Sequence, residues 1–265
     1  MENTQEYIDI LIGLEPVFKK AGELMLQMRE TAKSKNKFNT GIAGIDIVTE
    51  ADTASQEFIL SKMAETKLVE CQLFAEEDTP SVKKFKGING LVLTLDPIDG
   101  TIHYANNKRF FSTIISLNDK KDFLYTFCNY PIFNWARRIA NGKVEDFGKM
   151  PEINILPGLN LEKTIAYTVR EPKIIDAEIK KELLEQGYKF EKACNITDEG
   201  GSCTLLFLDK VAGYYTETPN PYDGTVALHY AQEKNLKIYS TVDISTAPPT
   251  DRGPHYRGWY VVLEK

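Results

Sequence analysis

The chain has 265 residues, 42% of them apolar and 26% charged, a balance that excludes a disordered or fibrous protein. Lys and Arg total 32 against 38 Asp and Glu, a formal net charge of -6, which argues against a dedicated binder of nucleic acid or of anionic membranes. The length is at the upper end for one hydrophobic core, so one large domain or two fused lobes are both open. No apolar run approaches the roughly 18 residues of a membrane span. The start, with Glu2, Glu6 and Asp9, is unlike a secretory signal. Cys71, Cys128, Cys194 and Cys203 form no CxxC pair, which suits reduced thiols better than a disulfide framework or a zinc site. The expected location is cytoplasmic.

In chain order, Ile8, Leu11, Ile12, Val17, Phe18, Ala21, Leu24, Met25 and Met28 recur at helical spacing between Glu6 and Thr31, with Pro16 marking a kink or a second start. Thr31–Gly44, rich in Lys, Asn and Gly, reads as a loop. After Ile45-Asp46-Ile47-Val48 a helix is predicted over Asp52–Glu65, with Thr53 and Gln56 spaced as a capping box. Strands follow at Leu91–Leu95, Phe111–Leu117, Phe123–Tyr130 and Trp135–Ala140, joined by the turn signals Asn118-Asp119 and Tyr130-Pro131 of an antiparallel sheet. From Thr164 strands and helices alternate: strands at Thr164–Val169 and Tyr188–Ala193, helices at Ile175–Gln186 and from Ser202. A strand near Gly213–Thr216, a helix over Asp223–Lys234 and strands at Leu236–Thr241 and Trp259–Leu263 complete the chain. The pattern implies an α/β protein with an α+β lobe over residues 1–150 and an α/β lobe over residues 151–265.

Three acidic clusters lie at strand ends or helix starts: Glu76-Glu77-Asp78 after Gln72-Leu73-Phe74, Asp96-Pro97-Ile98-Asp99-Gly100-Thr101 after Leu91–Leu95, and Asp223 before the last helix. Taken singly, the first reads as a solvated turn and Asp223 as a helix cap. The middle cluster resists so bland a reading. Asp96 and Asp99, three residues apart at the end of a buried strand, are costly without positive compensation. Flanking the Ile98 carbonyl, they suit a hard divalent cation such as Mg2+. An EF-hand loop fails on register, because Gly100 at its sixth position would put Leu95 at its first. Gly100 and Thr101, at a strand-to-helix junction, offer backbone N–H groups to a phosphate oxygen. GxSxG, GxxxxGK[ST], HExxH and GxGxxG are all absent. His103, His229 and His255 are too scattered for a zinc site, and His229 reads as structural.

The set Asp46-Ile47-Val48-Thr49, Glu76-Glu77, Asp96-Pro97-Ile98-Asp99-Gly100-Thr101 and Asp223 resembles the inositol monophosphatase family, within the lithium-sensitive, Mg2+-dependent phosphatases that include fructose-1,6-bisphosphatase. The resemblance runs from about Glu6 to Tyr260, and the DPIDGT hexapeptide is its most specific part. It implies a layered αβαβα sandwich, a homodimer, and hydrolysis of a small phosphorylated metabolite, by default inositol monophosphate. It further implies two or three Mg2+ ions per site. Glu76, Asp96 and the Ile98 carbonyl would hold the first and Asp96, Asp99 and Asp223 the second, with Glu76 sharing a weaker third. Thr101, polarised by Asp46, would orient and help deprotonate the attacking water, and Gly100 and Thr101 would bind phosphate. The expected substrate pocket comprises Arg170, the Glu199-Gly200-Gly201-Ser202 loop and Thr216–Asn220.

Some positions depart from the family pattern. Tyr222 stands where a tryptophan is usual, and Glu233-Lys234-Asn235 replaces a glycine-rich segment. His103-Tyr104 replaces Asn-Phe, and Thr216 stands where inositol-specific members carry a sugar-binding glutamate. None is an expected metal ligand. Arg170 opens the alternative of a second substrate phosphate, as in fructose 1,6-bisphosphate or 3′-phosphoadenosine 5′-phosphate. A regulatory binding protein without catalysis is the alternative of another class, and the intact acid set speaks against it.

Overall fold

Helical spacing puts Tyr7, Leu11, Phe18, Ala21 and Met25 on the buried side of helix α1 (Thr4–Met28). The computed structural model describes residues 4–31, 34–36, 47–119, 121–168, 170–173, 175–199, 201–218, 220–240 and 258–263. Pro16 removes one helical hydrogen bond, yet α1 continues through it as one element, its apolar face held against the sheet below. Strands β1 (Ser34–Asn36) and β2 (Ile47–Thr49) pair antiparallel, so part of the stretch expected as loop is extended.

Helix α2 (Glu50–Met63) starts earlier than expected, and its cap is Thr49 rather than Thr53. The Thr49 hydroxyl accepts the Ala51 N–H at 3.2 Å, while the Asp52 carboxylate accepts the Thr49 N–H at 2.7 Å and its O–H at 2.6 Å. The expected Thr53–Gln56 box is therefore not formed at this helix start, and Gln56 is used elsewhere.

Six strands make the first sheet: β3 (Gln72–Ala75), β4 (Val92–Asp99), β5 (Ser112–Asn118), β6 (Phe123–Tyr130), β7 (Trp135–Ala140) and β8 (Lys143–Phe147), in that order. Only β3 and β4 are parallel. The register of β4 against β5 shifts between Asp96 and Asp99, where Pro97 has no N–H to give to the ladder. The Thr113 hydroxyl instead donates to the Pro97 carbonyl at 3.0 Å. The second sheet holds β9 (Thr164–Tyr167), β10 (Lys189–Lys192), β11 (Gly213–Thr218), β12 (Lys237–Ser240) and β13 (Gly258–Leu263) in the order β10-β9-β11-β13-β12. The remaining helices are α3 (Thr101–Ala105), α4 (Ala177–Glu185), α5 (Ala193–Ile196), α6 (Ser202–Phe207) and α7 (Thr225–Lys234).

Alternation along the strands sorts these elements into layers. Leu93, Leu95, Ile115, Leu117, Tyr125 and Phe127 pack with Leu11 and Phe18 of α1 and Ile59 and Leu60 of α2. The opposite face, with Ile114, Cys128, Trp135 and Ile139, packs with α6 and α7 and, beyond them, with Ala166 and Tyr214 of the second sheet. Ile165 and Tyr215 turn the other way, onto Leu183 of α4. The result is the αβαβα sandwich. Each buried Leu, Ile or Phe contributes roughly 1.5 to 3 kcal/mol, which lets the first sheet carry uncompensated acids at one end. None of the described helices is long and apolar enough to cross a membrane.

Candidate active site

Burial of β4 draws Asp96 down to 4% exposure, and its Oδ1 has no hydrogen-bond partner. Burial pushes its carboxyl well above the usual range, and repulsion from Glu76, Asp99 and Asp223 adds to the rise, as does a hydrogen bond with Glu76. Asp99 is pushed up to about 6, by burial first and Glu76 next, against a hydrogen bond from Ser112 at 3.3 Å. Asp223 is pushed up to about 7 by burial, with Glu76 and Asp99 adding repulsion. Its Oδ2 accepts from the Thr218 hydroxyl and from the Asn220 amide, the latter at 3.2 Å. It does not cap α7, whose N-cap is Gly224. Acids from the end of β3, from β4 and from the turn before α7 thus converge.

Among the described residues no three such side chains close into a ready-made cation cage. Like charges repel, and Asp99 and Asp223 are turned onto the donors beside them. The set nevertheless fits a hard divalent cation: its donors are carboxylates and the Ile98 carbonyl, and the orphaned Asp96 Oδ1 is an acceptor among them.

Gly100 has a φ of 84° and forms the N-cap of α3, and a Cβ there would meet His103 Cδ2 at 3.2 Å and the Phe110 carbonyl at 3.3 Å. Thr101 follows, its Oγ1 3.0 Å from the Ile98 carbonyl and 3.2 Å from Asp52 Oδ1. Asp46 lies outside the described residues. Among the described residues the acid that reaches Thr101 is Asp52, a residue that sequence reasoning missed because an aspartate in a first helical turn reads as a cap. Its signal in the sequence is the Thr49–Asp52 spacing, one turn before Thr53–Gln56. Asp52 is pushed up to about 7 by burial, with Glu76 and Glu77 adding repulsion and its bonds from Thr49 opposing. Arg29 was also missed. It follows α1 and donates to the carbonyls of Tyr104 at 3.3 Å, His103 at 3.5 Å and Lys108, so a cation holds the C-terminal end of α3.

The expected pocket residues are more varied. Arg170 Nη1 lies 3.2 Å from the Glu217 carbonyl and 3.5 Å from its Oε1, so the guanidinium is already engaged. Gly201 has a φ of 78° and caps α6, and a Cβ there would meet Thr204 Oγ1 at 2.9 Å. Ser202 is buried with its hydroxyl bonded to that of Thr168. Thr216 is half-buried on β11, seven residues before Asp223. Gly200 lies outside the described residues. An unforeseen pair joins the two halves: Arg109, before β5, grips Glu199 with two hydrogen bonds, that from Nε at 2.6 Å. His229 is buried on Thr126 at 2.8 Å and pushed down to about 4 by burial.

The sequence model of the inositol monophosphatase family matches residues 7–150. The chain belongs to that family. Membership of the inositol monophosphatase family makes it a phosphatase. Solved structures agree on the fold. A staphylococcal IMPase I complexed with products is 18% identical over 99% of this chain and 92% of that one, with a TM-score of 0.66. An IMPase/NADP phosphatase complexed with NADP and Ca2+ is 17% identical over 100% and 93%, with a TM-score of 0.66. An IMPase from Thermotoga maritima is 18% identical over 96% and 92%, with a TM-score of 0.65. No curated protein matches the chain.

Proposed function

We propose that the protein hydrolyses the phosphate monoester of a small polyol, with inositol monophosphate as the reference substrate and Mg2+ as the working cation. The observation that carries this reading is the buried, unpartnered Asp96 Oδ1 among Glu76, Asp99 and Asp223. Family relatives point the same way, one being an IMPase/NADP phosphatase complexed with Mg2+ and phosphate. Mg2+, when bound, would neutralise the phosphoryl oxygens and lower the pKa of the attacking water.

The chain supplies the rest. Glu76, Asp96 and the Ile98 carbonyl would hold one ion, and Asp96, Asp99 and Asp223 another. Asp52 accepts the Thr101 proton at 3.2 Å, leaving the Thr101 oxygen free to receive a hydrogen from the attacking water and orient it in line. Asp52 takes here the part expected of Asp46. The Gly100 and Thr101 N–H groups would face the phosphate. No covalent phosphoenzyme is expected, because no Ser, Cys or His nucleophile has a supporting constellation in the sequence. The engagement of Arg170 by Glu217 favours a monophosphate over a bisphosphate.

Phosphate release from myo-inositol 1-phosphate, fructose 1,6-bisphosphate, 3′-phosphoadenosine 5′-phosphate and 2′-AMP, with and without Mg2+, tests this. The last is included because one relative is a 2′-AMP-bound IMPase II. Mg2+-dependent release by the wild type, lost in Asp96→Asn, is expected; equal release by both proteins would overturn the metal assignment. Inhibition by Li+ is also expected, as one relative is a staphylococcal enzyme in a lithium-soaked inhibitory complex.

A further inference from the structure

Helix α2 carries Asp52 and, one turn later, Gln56, so the two side chains emerge from neighbouring positions of one face. Gln56 is 0% exposed, and its amide is spent on a single loop. Its Oε1 accepts the Glu77 N–H at 2.9 Å, and its Nε2 donates to the Glu77 carbonyl and, at 3.1 Å, to the Thr79 hydroxyl. Both polar groups of the Glu77 main chain are thereby held by one side chain. On the other side, the Glu76 N–H bonds to the Leu95 carbonyl of β4 at 3.1 Å. The backbone of Glu76 is therefore fixed between the strand that bears Asp96 and the helix that bears Asp52.

We propose that Gln56 is a positioning residue for the cation site. It fixes the loop that carries Glu76 to the same helix that, through Asp52, orients the Thr101 hydroxyl. One rigid element would then set the spacing between the metal acids and the group that aims the water. The physical reason for a glutamine is its pairing capacity. The amide accepts the Glu77 N–H with its oxygen and donates to the Glu77 C=O with its nitrogen, side by side from one side chain, and a buried peptide left without those partners is costly. The inference rests on the metal-dependent reading above, and its test separates the two.

Gln56→Met keeps the length and unbranched shape of the side chain while removing all three hydrogen bonds. In the full-length protein, the Mg2+ concentration giving half-maximal phosphate release should rise roughly tenfold to hundredfold, the range for losing a group that holds a metal ligand in place. Binding of Tb3+, followed by its luminescence and competed with Mg2+, should weaken by a like factor. KM for the phosphate ester at saturating Mg2+ should stay within about twofold, whereas a residue that merely fills the core would lower Tm and leave both metal titrations alone. Gln56→Glu keeps the acceptor for the Glu77 N–H, loses the donor, and should fall between wild type and Gln56→Met. Should the methionine variant not fold, the glutamate variant decides on the same titrations. Wild-type metal constants in the folded variants would overturn the role of Gln56. A wild-type protein that neither binds Tb3+ nor needs Mg2+ would overturn the site itself.

Discussion

Asp96 lies in a strand paired on both sides, β3 to one and β5 to the other, and its Oδ1 finds no donor. Asp223 lies in the turn between β11 and α7, where Thr218 and Asn220 both donate to it. Each sheet thus brings acid to the same place by different means. The first sheet uses backbone rigidity and burial and leaves Asp96 Oδ1 without a donor, although Asp99 beside it accepts from Ser112. The second uses local side-chain donors that partly satisfy it. An acid held by its backbone, with lone pairs unspent, is free to bind a cation, whereas one held by donors must exchange them. The family match follows the same division, covering residues 7–150 and ending before the second sheet begins at Thr164.

The sharpest way to break this contrast is to neutralise each acid in turn. Asp96→Asn should lower kcat about ten-thousandfold, several kcal/mol of transition-state stabilisation, because Asp96 serves both proposed ions. The same change should raise Tm in the presence of a chelator, since an amide beside Glu76, Asp99 and Asp223 donates where a carboxylate repels. Asp223→Asn should cost about a thousandfold and raise Tm by less, because Thr218 and Asn220 already offset part of the cost of its buried charge. Equal thermal shifts for the two variants would erase the distinction.

Asp52→Asn ranks next, with kcat reduced about a hundredfold and KM retained, the scale of a lost proton acceptor. If Asp46 were the acid that works on Thr101, this variant would keep wild-type turnover and Asp46→Asn would lose it. The pairing of Asp52 with Thr101 shows why part of the site was not legible in the sequence. Both Thr49–Asp52 and Thr53–Gln56 have capping spacing, and the second matches the usual Glu/Gln pattern better. Tertiary structure decides otherwise, because Gln56 is needed by the Glu77 loop and Asp52 by Thr101. What was legible had strong local causes. Alternation located β6 and β7 to the residue, and the DPIDGT segment located Asp96, Asp99 and Thr101. The edge strand β8 has the exposed, polar texture of Lys143-Val144-Glu145-Asp146-Phe147 and no such signal. Arg29 and Arg109 act across 79 and 90 residues of chain, a range at which single charges leave no pattern.

A gentler test varies pH in the presence of a chelator. Asp52 and Asp223, pushed up to about 7, and Asp99, to about 6, bind more protons folded than unfolded. Their contribution to stability is full below the unfolded carboxylate range and is lost as pH rises through these values. His103 and His229, pushed down to about 4, act oppositely, but only as pH falls below about 6.5. Tm should therefore fall between about pH 6.5 and 8, and Mg2+ should restore it more at pH 8 than at pH 6.5. A thermal shift by Mg2+ that does not grow with pH would mean that these acids are not what the cation meets.

The smallest expected effect concerns the contact that ties the two halves together. Arg109 is 49% exposed and Glu199 9%, so solvent screens the pair, and Arg109→Ala should cost less than about 1 kcal/mol, a Tm shift of about 2 to 4 °C at most. Glu199 begins the turn that leads through Gly201 into α6, and with Arg109 gone its buried carboxylate loses both hydrogen bonds. If that turn shapes the pocket, KM should rise a few-fold at unchanged kcat, because the acids on β4 are untouched. A fall in kcat at constant KM would instead mean that the second sheet steers the chemistry as well as the substrate, and the division of labour between the sheets would fail at this point.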